Sequence, residues 1–217
     1  SEGIGDTIRV SLTEDPEFEI PAAEKIIKKI NTIPEKVRVQ NNNKRAFSFS
    51  KRETLLVGNF GGKNPLLVIS SNSKAFEGNY PDFIFIKDLK NLDESKKYIT
   101  NNKDWSKKQL KNVFPYYSSL KDFRKSKNTS GVLNFIEVDI KTITNTIIQT
   151  ISSNIVLVFN IDECSRHDFL NAFTFLEEKE IKVPIILKGN YDSSDFEQIA
   201  IDASIDLGSI FLEGMGN

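Results

Sequence analysis

Ile155-Val-Leu-Val-Phe159 and Val183-Pro-Ile-Ile-Leu187 are two runs without a single polar residue. Branched and aromatic runs that do not alternate mark strands covered on both faces. Between them, Ser165 to Glu180 reads as a helix, with apolar residues at helical spacing. Upstream, Val132 to Val138 repeats the strand and Ile140 to Ser152 the helix. Downstream, Ser193 to Ala203 reads as a helix and Leu207-Gly-Ser-Ile-Phe-Leu212 as a strand. The unit returns about every 25 residues, as in parallel strand–helix architectures. Such units close into a barrel or lie in an open sheet, and the pattern allows both.

Toward the start the signal thins. Phe83-Ile-Phe-Ile86 reads as a strand. Leu55-Leu-Val57 and Leu66-Leu-Val-Ile69 are short apolar runs around Gly58-Asn-Phe-Gly-Gly-Lys-Asn-Pro65. Lys87 to Lys111 is rich in lysine and holds Trp105; Val113-Phe-Pro-Tyr-Tyr117 reads as an edge strand or a loop. Arg38 to Lys51 is polar and turns strand-like at Ala46-Phe-Ser-Phe-Ser50.

The chain has 217 residues, 39% hydrophobic, enough for one large or two small domains. Its net charge of -1 gives no reason to expect nucleic acid. No apolar run approaches the ~20 residues of a membrane span, and no signal peptide is read. A single cysteine, Cys164, excludes a disulfide framework and a cluster held by several thiolates of this chain.

The opening, Ser1-Glu-Gly-Ile-Gly-Asp-Thr-Ile-Arg-Val-Ser-Leu-Thr-Glu14, alternates strictly. Ile8, Val10 and Leu12 fall on one face of a strand, and Thr7, Arg9, Ser11 and Thr13 on the other. Arg9 and Ser11 would then lie ~6.5 Å apart on one face and could converge on an anion. Asp15-Pro16 starts a helix, with Ile20, Ala23, Ile26, Ile27 and Ile30 as its apolar stripe; Pro34 stops it. Glu213-Gly-Met-Gly-Asn217 echoes Glu2-Gly-Ile-Gly-Asp6. The echo reads as two related barrels, with this chain holding the end of one and most of the next.

Glu2-Gly-Ile-Gly-Asp-Thr-Ile-Arg-Val-Ser-Leu-Thr13, continued through Glu14-Asp-Pro16 into Glu19 to Ile30, resembles the last strand and helix of the catalytic barrel of the 4-hydroxy-3-methylbut-2-enyl diphosphate synthase family. The resemblance implies a parent enzyme of the MEP route of isoprenoid biosynthesis. It would reductively open 2-C-methyl-D-erythritol 2,4-cyclodiphosphate to 4-hydroxy-3-methylbut-2-enyl diphosphate. It implies that Arg9 and Ser11 bind the substrate's diphosphate. It also implies a 4Fe–4S cluster in a separate domain and a reductant such as ferredoxin or flavodoxin.

In the compact form of the family a Cys-Pro-x-Cys motif follows the barrel's last helix. Here no such motif follows Ile30, and ~180 residues of other sequence do, the length of a domain. That fits the plant-, chlamydia- and Bacteroidetes-type form, which inserts a degenerate second barrel. The expected domains are residues 1–33, the end of the catalytic barrel, and 34–217, a TIM-barrel-like insert cut short at its C-terminal end. The insert is read as a spacer, in contact with the catalytic barrel and the iron–sulfur domain, whose mouth holds no convergent group of perturbed carboxylates or basic residues. The expected location is the cytoplasm in a bacterium or a plastid-type organelle in a eukaryote. The competing reading is an independent barrel that binds a phosphorylated or pterin-like molecule.

Three lesser features have plain explanations. Asp139, Asp162 and Asp192 each follow a strand; they read as helix caps before they read as a ring of carboxylates. Cys164 and His167 are too few for a metal, and Ser165 with Asp168 reads as a capping box. Gly58 to Gly62 with Lys63 lacks P-loop spacing and reads as a loop.

Overall fold

The computed structural model describes residues 7–11, 13, 15–32, 51–71, 80–143, 153–162, 164, 166–193, 195–212, 214 and 215. Seven parallel strands lie in chain order: β1 (Ile69–Ser70), β2 (Phe83–Phe85), β3 (Tyr98–Asn101), β4 (Val113–Tyr117), β5 (Asn134–Val138), β6 (Ile155–Asn160) and β7 (Ile185–Lys188). Five helices accompany them: α1 (Glu19–Thr32), α2 (Asn102–Lys107), α3 (Leu120–Lys125), α4 (Arg166–Glu178) and α5 (Phe196–Leu212). The sheet curls as an incomplete, TIM-barrel-like α/β fold.

Period-two alternation sorts the strand residues between two cores. On the helix side, Ile136, Val138, Ile155, Leu157, Phe159 and Ile185 pack with Phe169, Ala172, Phe173 and Leu176 of α4. Farther along that side, Ile84, Tyr98 and Val113 pack with Trp105 of α2. The indole N–H of Trp105 donates to the carbonyl of Val113 at 3.0 Å, which satisfies its buried polar group. On the concave side, Phe83, Ile99, Phe135, Val156 and Val158 surround Val57 and Phe60. Phe60 meets Phe135 edge-on at 5.4 Å, and Phe83 meets Phe135 at 6.0 Å. Each such ring pair adds ~0.5–1.5 kcal/mol beyond its burial.

Val57 to Phe60 is a tight turn closed by reciprocal backbone bonds of 2.9 Å. It plugs the concave side, so the glycine-rich stretch up to Lys63 serves packing, as the plain reading expects. Gly61 has φ +79, and a Cβ there would lie 2.3 Å from the carbonyl oxygen of Leu55, so only glycine fits. Arg52 ties this stretch to the segment that leads into β7. Its guanidinium, buried, donates to the carbonyls of Val183 at 3.1 Å and Ile181 at 2.5 Å. Burial pulls its pKa down to about 10, against the charge of Glu177.

Several expectations need correction. Of the opening alternation, the described residues 7–11 belong to no ladder, and no strand among the described residues pairs with them. Val113–Tyr117 is neither edge nor loop but lies between β3 and β5. Pro115 is tolerated because the ladder to β5 begins only at Tyr116. Leu207–Leu212 is not a strand but the last six residues of α5. There Ala203, Leu207 and Ile210 recur at helical spacing, and Leu207 and Ile210 pack into the core. Of the expected helix Ile140–Ser152, one 3-10 turn, Ile140–Thr142, is seen; residues 144–152 lie outside the described residues, as does the strand-like Ala46–Ser50.

The second copy of the glycine echo ends α5. Gly214, at φ 72, donates to the carbonyl of Phe211 at 3.0 Å, and Met215 donates to that of Ile210 at 3.2 Å. This is a Schellman cap, with Met215 buried against the core. Among the described residues no helix is long and apolar enough to cross a membrane.

Candidate functional site

Arg9 and Ser11 are exposed, in the irregular segment that leads through a 3-10 turn, Pro16–Phe18, into α1. Ile8, at 42% exposure, is also left in water. The segment shows no regular alternation of buried and exposed residues, so its two donors are accessible, but no strand fixes their spacing.

The carboxyl end of the sheet, where barrels of this type place chemistry, holds a cluster that the sequence reading missed. Tyr116, Glu137 and Lys188 follow Phe114, Phe135 and Ile186 by two residues, so they continue the concave face. The Lys188 ammonium donates to Glu137 Oε2 at 2.9 Å and to the Tyr116 hydroxyl at 3.2 Å, and lies 5.5 Å from the Tyr116 ring centre. Phe85 packs edge-on against Tyr116 at 5.3 Å. The mouth therefore holds one acid and one base, paired with each other. The two charges face each other and satisfy each other, an arrangement that fixes three strands without leaving either charge committed to a ligand.

The three aspartates divide. Asp139 Oδ1 accepts from the N–H of Lys141 at 3.0 Å and caps the 3-10 turn. Asp162 accepts from the N–H of Asn190 at 3.0 Å and from the Asn190 side chain, joining the loops after β6 and β7. Asp192 is exposed, and the cap of α5 lies three residues on: Asp195 Oδ1 accepts from the N–H groups of Glu197 at 3.0 Å and Gln198 at 3.3 Å. The backbone N–H of Gln198, then Lys25, hold the Asp195 carboxyl below its ordinary range.

Cys164 is half-buried against the helix-side core; Ser165 and the side chain of His167 lie outside the described residues. Among the described residues no three His, Cys, Asp or Glu side chains gather in a way that could hold a metal ion. A 4Fe–4S cluster needs several thiolates, and one cysteine cannot supply them.

No protein-family model matches the chain, and no solved structure matches it. Curated relatives do. A protein of Porphyromonas gingivalis is 29% identical over 220 residues, covering 100% of this chain and 34% of its own length. One of Parabacteroides distasonis is 27% identical over 228 residues, covering 100% of this chain and 37% of its own. One of Phocaeicola vulgatus is 27% identical over 230 residues, covering 99% of this chain and 37% of its own. Each is named 4-hydroxy-3-methylbut-2-en-1-yl diphosphate synthase (flavodoxin). The chain spans about a third of the length of the curated relatives it matches. The likeness first carried by its opening thirty-odd residues thus extends from end to end: the chain is similar over its whole length to proteins named 4-hydroxy-3-methylbut-2-en-1-yl diphosphate synthase.

Proposed function

We propose that this chain is the middle portion of an isoprenoid-pathway reductase that converts 2-C-methyl-D-erythritol 2,4-cyclodiphosphate to 4-hydroxy-3-methylbut-2-enyl diphosphate. The observation that carries the reading is the end-to-end match to synthases about three times as long. Residues 1–33 close the catalytic barrel, and Arg9 and Ser11 grip the substrate's diphosphate there. The guanidinium fork suits phosphate oxygens, and the serine hydroxyl adds a further donor. In the whole protein the segment around Arg9 becomes a strand once it has neighbours to pair with.

Residues 34–217 form the inserted half-barrel, a spacer that positions an iron–sulfur domain over the catalytic barrel. Its internally paired Tyr116–Glu137–Lys188 cluster and its capping aspartates support a structural rather than a chemical role. The cluster, a 4Fe–4S centre, belongs to a domain outside this chain, since Cys164 alone cannot hold it. Flavodoxin, printed in the relatives' names, is the proposed electron donor.

The test is Arg9→Ala in the full-length enzyme with the cyclic diphosphate as substrate. A charge-assisted contact is worth about 1.5–3 kcal/mol, so kcat/KM should fall roughly 10- to 150-fold. Unchanged kinetics would remove Arg9 from the site.

A further inference from the structure

The net charge of -1 hides two opposite ends. Residues 87–127 hold twelve Lys and Arg against five Asp and Glu, and residues 160–217 hold four against twelve. The acidic end meets cations within the chain. α1 packs on α5, where Lys25 meets Glu197 at 2.5 Å and Asp195 at 3.2 Å, and Lys29 meets Asp206 at 3.0 Å. The basic end is covered on its inner side only: α2 packs on β3 and β4, and α3 on β4 and β5.

The two short helices of the basic end form one face. Trp105 of α2 and Leu120 and Phe123 of α3 pack into the cores. Lys103, Lys107, Lys121, Arg124 and Lys125 are exposed, as is Lys127 just beyond α3. The Asn102 side chain donates to the Ser126 hydroxyl at 3.2 Å, which joins the start of α2 to the end of α3. Asp122, held low first by the Ser119 hydroxyl, also feels Lys125 and Lys103, one from each helix. Lys103 with Lys107, and Lys121 with Lys125, are four residues apart, so like charges sit one turn above each other and weaken both helices. The local acids relieve little of this, since Asp104 is engaged by Lys107 and Asn101, and Asp122 by Ser118. Folding gains nothing from repulsion kept on two adjoining helices; an acidic partner would gain from it.

We propose that the α2–α3 face, with Lys103, Lys121, Lys125 and Lys127 as its charges, is the docking surface for an acidic electron-transfer protein. The inference rests on the donor reading above and adds where that donor lands. The face lies on the outer side of the curled sheet, is polar, and is only two short helices wide. A small, charged surface suits a transient redox encounter, in which complementary charge speeds association more than it tightens the complex. Nucleic acid fits the face less well. The rings of Trp105 and Phe123 pack inward, so neither offers a platform on which a base could stack.

The experiment uses the full-length enzyme with Lys103→Glu, Lys121→Glu and Lys125→Glu together. Turnover is measured with reduced flavodoxin and, separately, with dithionite. In the parent, kcat/KM for flavodoxin should fall as salt rises toward about 1 M, where the screening length is ~3 Å. In the variant at low salt, KM for flavodoxin should rise about tenfold, its salt dependence should flatten, and turnover with dithionite should stay within about twofold. Unchanged flavodoxin kinetics would overturn the docking face and leave the donor reading standing. An equal loss with both reductants would make the lysines structural and overturn it too. A parent that turns over with dithionite but not with flavodoxin would refute the donor reading itself, and the docking face with it. Binding of duplex DNA by the parent that the variant loses, with flavodoxin kinetics unchanged, would make nucleic acid the occupant and overturn the proposal.

Discussion

The half-barrel and the opening segment treat their polar groups in opposite ways. In the half-barrel, polar side chains find partners within the fold: Arg52 two carbonyls, Lys188 Glu137 and Tyr116, Asp162 Asn190. In the opening segment, Arg9 and Ser11 stand exposed on a stretch that has no ladder. Groups already satisfied by the fold stabilise it; chemistry needs groups held out toward a ligand. Under the proposed function, the difference would separate scaffold from site along one chain.

The sharpest way to break the comparison on the scaffold side is Phe135→Ala. Phe135 is fully buried and touches Phe60 and Phe83. Its loss should cost about 3–5 kcal/mol of stability in chemical denaturation. A cost under ~1 kcal/mol would show that the concave side is not the packed core described. On the site side, Arg9→Ala should leave stability within ~0.5 kcal/mol while lowering kcat/KM, because an exposed side chain contributes little to folding. A variant that lost both would merge the two regions.

A smaller effect concerns pH. Four aspartate carboxyls are held below their ordinary range: Asp93 by the Ser95 hydroxyl, Asp104 by Lys107, Asp122 by the Ser119 hydroxyl, and Asp195 by the N–H of Gln198. Their folded values lie below the unfolded ones, so their contribution is present above about pH 4 and is lost as pH falls through the lowered values. Lys25 is raised, chiefly by its bond to Glu197. Its contribution holds below about pH 10 and is lost above it. Melting temperature should therefore drop below pH 4 and change little from pH 5 to 8. A Tm that rises on acidification would contradict these directions.

What the sequence made legible follows from the length of its signals. β5, β6, α4 and β7 were readable because their apolar runs are long and bounded by turns. β3 was not, since Tyr98-Ile-Thr100 is a short run inside a lysine-rich stretch. β4 was misplaced because Pro115 suggests an edge, and only its neighbours show where its ladder begins. Leu207–Leu212 misled because Gly208 and a branched run mimic a strand; the period from Ala203 was the better guide. Glu137 and Lys188 are 51 residues apart, and no local pattern pairs them. A signal did exist: each is the charged residue two places after an inward apolar one, Phe135 and Ile186. Arg9 and Ser11 stand out only through alternation and family resemblance, and the described residues around them, 7–11, form no strand.

The central claim, that this half-barrel positions and does not react, is tested most directly at the Tyr116–Glu137–Lys188 cluster on its concave mouth. The measurement is turnover of the full-length enzyme carrying Tyr116→Phe, Glu137→Gln and Lys188→Met, with the cyclic diphosphate and an artificial reductant. The account predicts turnover within about threefold of the parent, with a somewhat lower Tm, since a half-exposed ion pair is worth ~1 kcal/mol or less. A loss of ~1000-fold in a protein that remains folded would remove about 4 kcal/mol from catalysis. That result would place chemistry inside the half-barrel and contradict the account.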